Sequence, residues 1–277
     1  MLERLRAEID RIDDELLELL ARRIELAGDI AREKRSRDGE GPVVRPAREA
    51  AILRRLVQRA AGRFPTDALV RIWRELFAAT SRAQRPFAVA VFARSCREYE
   101  AVRDHVGSVV PLLRAESCEQ AARMWQDGRA EFLALPLDAG TATWWRGLAD
   151  RPGREPGAAV RLPLFVREGE EPPVLFLLGR VPPEPSGADR SLLMVELDDL
   201  LSRAGLLEAL ARAGAAPQHL ALVEEPGRVV HFVEVAGFLA GEEERKAAGL
   251  LAPVAAHVLR VAVLGAYPEP MRLPAAS

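Results

Sequence analysis

The sequence predicts a multidomain chain in which an all-α three-helix unit precedes an α/β region and a ferredoxin-like βαββαβ unit. Three observations support this fold class. Apolar residues recur at helical spacing near the N-terminus, predicted strands then alternate with helices, and the last part has the predicted order β-α-β-β-α-β. We place these units at residues 1–85, 86–181 and 182–277.

The first predicted helix, from Leu2 to about Arg37, is the longest element. Its apolar residues follow an alternating three-and-four step: Leu2, Leu5, Ile9, Ile12, Leu16, Leu19, Leu26 and Ile30. A helix of about 50 Å with one apolar seam is not expected to be stable alone. Arg23 shares the seven-residue phase of Leu2 and Ile9, and a charge in an apolar seam is costly unless it is paired. Arg23 is therefore a candidate functional residue.

Two more helices complete the N-terminal unit. Proline is favoured at the first helical position, which places the second helix from Pro46 to about Ala61. Thr66 or Asp67 is expected to cap a third helix that stops before Pro86.

The remaining elements follow from short apolar runs and turn signals. In the middle region we predict strands at 87–92, 109–115, 131–136 and 174–178, helices at 95–106 and 118–125, and loops at 149–158 and 167–173. After a linker at 182–190 we predict strands at 192–197, 220–224, 229–235 and 259–264, and helices at 199–213 and 241–256.

Composition excludes several function classes. With 49% hydrophobic and 29% charged residues and a net charge of −2, we expect a packed protein with no nucleic-acid or membrane-surface partner. Cys96, Cys118 and four scattered histidines show no metal-ligand spacing. No apolar run reaches transmembrane length and the N-terminus does not read as a signal peptide, so we expect a cytoplasmic protein.

Helical geometry relates three cations of the first helix. Arg23 and Lys34 are 11 residues apart, which returns them to within about 20° of one face and about 16 Å along the axis. Arg6 lies 17 residues before Arg23, about 25 Å down the axis. Arg6 can share a pocket with Arg23 only from an antiparallel partner chain.

The other two helices also carry polar groups where apolar ones are expected. The start of the second helix carries Arg45, Arg48 and Glu49. An apolar stripe of the third helix ends in two polar residues, Thr80 and Gln84. Each has an alternative reading: solvated arginines, a snorkelling Arg23, or a frayed helix end. Their coincidence favours a cationic pocket for a small dicarboxylate and a reaction that needs no covalent catalysis, metal or cofactor.

These residues occur in motifs that resemble a known family. The motifs are Leu5-Arg6-x-x-Ile9-x-x-Ile12-Asp13, Arg22-Arg23-x-x-Leu26-Ala27, Lys34, Arg45-Pro46-Ala47-Arg48-Glu49, and Ile72-Trp73-Arg74-Glu75 through Thr80 to Gln84. Residues 1–85 resemble the all-helical chorismate mutase domain that is fused to prephenate dehydratase in phenylalanine synthesis. The resemblance implies an intertwined homodimer that converts chorismate to prephenate by a pericyclic rearrangement.

The resemblance also implies a role for each candidate site residue. Arg6 would come from the partner chain, Arg23 would bind a substrate carboxylate, and Lys34 and Gln84 would contact the ether oxygen. Glu49 would hold the ring hydroxyl, with Arg48 as its neighbour in the motif. Thr80 replaces a frequent serine, and Arg45 stands where some relatives have aspartate. Catalytic roles fall on Arg23, Lys34, Glu49 and Gln84, and substrate binding on Arg6, Arg48, Thr80 and Arg45.

The downstream resemblance is partial. Residues 86–181 resemble a shortened prephenate dehydratase region in which Pro173-Val174-Leu175 replaces the family's threonine-arginine-phenylalanine motif. Residues 182–277 resemble a regulatory ACT domain, with Gly205-Leu206-Leu207 matched and the effector motif reduced to Glu224-Glu225-Pro226. An aromatic amino acid is therefore only a weak candidate effector, and a chorismate mutase without dehydratase activity is expected.

Three alternatives stay open. The chain could be a catalytically silent regulatory or binding protein of the shikimate pathway, a residual bifunctional mutase/dehydratase, or a lyase acting on isochorismate.

Overall fold

The structure is a computed structural model that describes residues 1–38, 41–149, 157–239 and 244–273. Three helices open the chain: α1 (Leu2–Asp38), α2 (Pro46–Ala60) and α3 (Thr66–Gln84), as the sequence predicts. The predicted cap of α3 is wrong. Pro65 occupies the N-cap position with φ −58° and ψ 121°, so Thr66 is already the first helical residue and Asp67 the second.

A mixed five-stranded sheet forms the middle of the molecule, in the order β2-β1-β3-β6-β4. The elements are β1 (Val89–Phe92), α4 (Cys96–Val106), β2 (Leu112–Ala115), α5 (Cys118–Gln126), β3 (Phe132–Pro136), α6 (Ala142–Ala149), β4 (Gly157–Leu162), β5 (Phe165–Arg167) and β6 (Leu175–Gly179). Strands β2 and β3 run parallel to β1, as is typical where strands alternate with helices, while β6 runs antiparallel to β3 and β4.

The middle region contains three elements that the sequence did not predict: α6, β4 and β5. Helix α6 has only eight residues and β5 only three, which is too short for a clear period. Strand β4 begins inside the Pro/Gly/charge-rich stretch predicted as a loop. The rest of that stretch, residues 150–156, lies outside the described residues.

A four-stranded antiparallel sheet closes the chain, in the order β10-β7-β9-β8. Its elements are β7 (Asp189–Asp198), α7 (Arg203–Arg212), β8 (Gln218–Glu225), β9 (Arg228–Ala236), α8 (Glu244–Leu250), a 3-10 helix (Ala252–His257) and β10 (Val258–Pro268). This confirms the ferredoxin-like βαββαβ order. The helix predicted at 241–256 is divided into α8 and the 3-10 helix that contains Pro253, since proline cannot continue an α-helix. Residues 241–243 of that predicted helix lie outside the described part. A last strand, β11 (Met271–Leu273), pairs with β5 and was not predicted.

The five-stranded sheet is the central layer. On one face, Leu53 of α2 and Phe77 of α3 join a single apolar core with Val89, Val102 and Leu177 of the α/β region. On the other face lie α5, α6 and one side of the ferredoxin-like sheet, around the fully buried side chains of Trp145, Phe176, Phe232 and Tyr267. Helices α2 and α3 therefore bury their apolar faces against the α/β region.

Helix α1 extends away from these layers and contacts α3. Its predicted apolar seam is exposed along most of its length, from Leu5 at 52% to Ile30 at 54%. A continuous row of large apolar side chains exposed to solvent is typical of an interaction surface. No helix among the described residues combines the length and apolar character needed to span a membrane.

Candidate active site

A cavity of about 520 Å³ opens between α1, α2 and α3. Six of the eight residues predicted for the site line it: Arg23, Arg45, Arg48, Glu49, Thr80 and Gln84. Apolar walls come from Leu26 and Ile30 of α1, Ile52 and Leu56 of α2, and Trp73 and Phe77 of α3. The helical spacing that selected these residues from the sequence thus places them around one space.

Arg23 is the best-supported cation of the cavity. It is half-buried, and its Nη1 donates a hydrogen bond of 3.2 Å to Thr80 Oγ1. Its guanidinium carbon lies 5.4 Å from the centre of the Phe77 ring, a distance at which a cation and a ring attract. Burial lowers the pKa of Arg23, and the nearby Arg48 acts in the same direction. The charge that interrupts the seam is thus turned into the cavity and held there.

Thr80 is buried, and its hydroxyl makes two hydrogen bonds. It donates to the carbonyl oxygen of Leu76 at 2.6 Å and accepts from Arg23. The donated bond points the oxygen lone pairs towards Arg23, because a hydroxyl has one proton to give. Thr80 therefore orients the Arg23 guanidinium.

Glu49 is a buried carboxylate on the cavity wall. Its Oε2 accepts a 2.7 Å hydrogen bond from Arg74 Nη1, and both side chains are almost completely buried. Arg74 also donates from Nε to the carbonyl oxygen of His105, at the end of α4. The carboxylate is thereby charge-balanced and fixed in position.

Arg45 and Arg48 approach the cavity from the start of α2. Arg48 is exposed, whereas the Nη2 of Arg45 donates to both oxygens of Glu184, at 2.7 and 2.9 Å. Glu184 belongs to the predicted linker between the second and third units. Arg45 is therefore a cavity residue whose guanidinium is already engaged by a carboxylate of the same chain.

Of the two other predicted site residues, one does not line the cavity and the other cannot be placed relative to it. Arg6 is exposed on the N-terminal half of α1, about 25 Å along the axis from Arg23. Lys34 lies within α1, but its side chain is outside the part that the structure describes.

Sequence reasoning missed three further arginines at the cavity: Arg35, Arg55 and Arg85. Arg55 follows Arg48 by seven residues on α2, which brings it to nearly the same helical face, so this one was predictable. Arg85 carries an ion pair with Glu131 at 2.6 Å, a contact outside the reach of local spacing.

The described wall of the cavity thus carries six arginines and one carboxylate, Glu49. Such a field favours an anionic ligand, and arginine suits carboxylates because its planar donors match the two oxygens. The described residues hold no group of three or more His, Cys, Asp or Glu that could bind a metal ion.

Comparison with known proteins assigns a family to this part of the chain. Residues 5–85 match the family model of chorismate mutase type II. The chain is 31% identical over 144 residues to the bifunctional chorismate mutase/prephenate dehydratase of Pseudomonas aeruginosa, covering 50% of this chain and 40% of that protein. The protein of the same description from Neisseria gonorrhoeae is 28% identical over 137 residues, covering 49% and 37%. The chain therefore spans less than half the length of these curated relatives.

Two solved structures show a weaker likeness. One is described as GqqA, a novel type of quorum quenching acylase, with 17% identity, a TM-score of 0.46 and coverage of 65% of this chain and 94% of that one. The other is prephenate dehydratase from Streptococcus mutans, with 16% identity, a TM-score of 0.45 and coverage of 68% and 100%. The assignment consequently rests on the sequence match: the N-terminal part of the chain, residues 5–85, carries a chorismate mutase type II domain.

Proposed function

We propose that the chain is a chorismate mutase that converts chorismate to prephenate. The observation that carries the proposal is the cavity of α1, α2 and α3, where Arg23, Glu49 and Gln84 meet within the residues that match the family. The cavity is strongly cationic, as a substrate with two carboxylates requires.

The chemistry asks for placement and charge stabilisation. The rearrangement occurs within one molecule, so the protein must hold the substrate in its compact conformer. Arg23, oriented by Thr80, is assigned to one carboxylate, and Arg48 is available to anionic groups at the mouth. Gln84, together with Lys34, is assigned to the ether oxygen, on which negative charge develops. Loss of one such donor typically lowers the rate by about 10²–10³.

The dimer is part of the proposal. An exposed apolar seam on α1, a helix of 37 residues, requires a partner. An antiparallel second copy of α1 would cover this seam and carry its own Arg6 towards Arg23. Each cavity would then hold Arg6 from the other chain, as the family resemblance implies.

We assign no dehydratase activity to residues 86–181. The support is the sequence Pro173-Val174-Leu175 at the place of the family's catalytic motif. The ferredoxin-like unit is proposed to be ACT-like. Its weak candidate effector, an aromatic amino acid, stays a prediction because Glu224-Glu225-Pro226 retains little of the effector motif.

The test is product analysis after incubation of the purified full chain with chorismate. We expect prephenate to accumulate and no phenylpyruvate to form, with and without phenylalanine or tyrosine. Phenylpyruvate would show a residual bifunctional enzyme. Absence of any conversion above the uncatalysed rate, with isochorismate also unchanged, would favour a silent binding protein and overturn the proposal.

A further inference from the structure

Helix α3 serves two neighbours with two different faces. Trp73, Phe77, Thr80 and Gln84 line the cavity. A second face contacts the end of α4 and the loop after it, through Arg71, Arg74, Glu75, Ala78 and Arg82. The wall of the proposed active site is thus also the wall of the α/β region.

Arg74 connects these two faces. It is only 5% exposed, and its guanidinium donates to Glu49 of the cavity and to the His105 carbonyl of the α/β region. Its guanidinium carbon lies 5.6 Å from the Phe77 ring, whose centre is 5.4 Å from that of Arg23. One side chain therefore fixes the carboxylate and packs against the aromatic ring that also supports Arg23.

The His105 end of this connection is built rigidly. The last carbonyls of a helix have no partner within the helix, and that of His105 accepts from Arg74. Just beyond, Gly107 has φ +82°, and a Cβ atom there would lie 2.7 Å from the Cβ of Ala78. The backbone N–H of Ser108 donates to Glu75 at 2.8 and 3.0 Å. These contacts set the position of the His105 carbonyl relative to α3.

We propose that the α/β region is a structural part of the mutase site, and that Arg74, anchored on the His105 carbonyl, is the residue that positions Glu49. This inference rests on the proposed mutase function. It gives residues 86–181 a role that requires no chemistry of their own: they hold a carboxylate of the neighbouring site in place.

The test is a double-mutant cycle in the full chain, with kcat/KM for chorismate as the readout. Arg74→Met should lower kcat/KM by about 10- to 100-fold, because small displacements of a site residue carry penalties of this size. In a Glu49→Gln background the same substitution should change kcat/KM by less than about threefold, since interacting residues are not additive. Arg74→Lys keeps the charge but loses the planar guanidinium that donates to both Glu49 and the His105 carbonyl, so it should recover only part of the rate.

Arg71→Met is the matched control. Arg71 lies one turn earlier on α3 and pairs at 3.3 Å with Asp104 of the same α4, but both side chains are largely exposed and Glu49 is not involved. We expect it to stay within about twofold of wild type, in line with the small value of exposed ion pairs.

Partial recovery of the rate in Arg74→Lys separates positioning from general damage, because the lysine restores the positive charge beside Glu49 but not the donor to the His105 carbonyl. Full additivity with Glu49→Gln, or an equal loss in Arg71→Met, would overturn the inference while leaving the mutase function intact. If Arg74→Met does not fold, Arg74→Lys decides: a wild-type rate in that variant contradicts the inference. Absence of activity in wild type would end both proposals.

Discussion

Arg23 and Thr80 are 57 residues apart in sequence and joined by a 3.2 Å hydrogen bond across the cavity. The bond fixes the cation that interrupts the apolar seam of α1. Because Thr80 is buried and also bonded to Leu76, the hydroxyl has little freedom to turn elsewhere.

The first prediction removes that hydroxyl. Thr80→Val keeps the shape of the side chain but removes the acceptor for Arg23, and a net hydrogen bond is worth about 0.5–1.5 kcal/mol. We expect kcat/KM for chorismate to fall by about 2- to 15-fold. Thr80→Ser keeps the hydroxyl and should stay near wild type. Equal rates for the valine and serine variants would show that Thr80 does not orient Arg23.

The second prediction concerns Arg45 and its internal carboxylate. Glu184→Gln should release the Arg45 guanidinium towards the cavity and lower KM for chorismate, with kcat unchanged. The pair is partly exposed, at 36% and 42%, so the gain should be no more than about fivefold, the equivalent of about 1 kcal/mol. Steady-state kinetics measure it. In Arg45→Ala the Glu184→Gln substitution should have no effect, and a similar gain there would contradict this account.

The third prediction tests the contact between the two sheets. A Cβ atom on Gly265 of β10 would overlap the backbone oxygen of Ala158 on β4 and lie 2.7 Å from its nitrogen. Neither backbone can move without disturbing its sheet, so Gly265→Ala should destabilise the chain by about 1–3 kcal/mol. Thermal unfolding measures this.

The control for that experiment is Gly147→Ala. Gly147 lies in α6, and a Cβ atom there would meet nothing within 4 Å. The control should be neutral or stabilising by up to about 1 kcal/mol, since alanine favours helix. If both variants unfold at the same temperature, the close approach of β4 and β10 is not as described.

The fourth prediction is a loss of stability in acid. Burial lowers the pKa of His231 to about 4, and His219 and Arg203 act in the same direction. An unfolded histidine has a pKa of about 6.5, so the unfolded chain binds more protons between these values. The contribution of His231 to the free energy of unfolding is therefore fully present above about pH 6.5. It falls as the pH is lowered towards 4, by up to about 1.4 kcal/mol per pH unit.

Denaturant unfolding at pH 7 and pH 5 measures this dependence. Burial also lowers the pKa of His105, which contributes in the same direction, so His231→Gln should reduce the pH dependence without abolishing it. An unchanged pH dependence in His231→Gln would show that this ring is not the group responsible.

Helical periodicity predicted the first unit almost completely. The bounds of α1 and α2 follow from apolar spacing and from Pro46 at the first turn of α2. Six residues that line the cavity were selected from the sequence, because a polar group where an apolar one is expected is visible locally. The residues that complete the site were not visible in this way.

Those missing pieces are long-range contacts. The partners of Glu49 and Arg45 are Arg74 and Glu184, and the anchor of Arg74 is a backbone carbonyl with no side-chain signal. The shared core of α2, α3 and the sheet was likewise not predicted, since local patterns do not show which apolar faces meet. Short elements such as α6 and β5 carry too few residues to show a period.

The most direct test of the shared mutase site is subunit complementation. Arg6→Ala and Arg23→Ala chains would be purified separately, mixed in equal amounts after dissociation, and assayed for conversion of chorismate beside wild type. Each parent should be inactive, while a mixed dimer contains one cavity with Arg23 from one chain and Arg6 from the other. Random pairing makes half of the dimers mixed, so the mixture should recover about a quarter of the wild-type rate. A mixture as inactive as its parents, beside an active wild type, would contradict a site built from two chains.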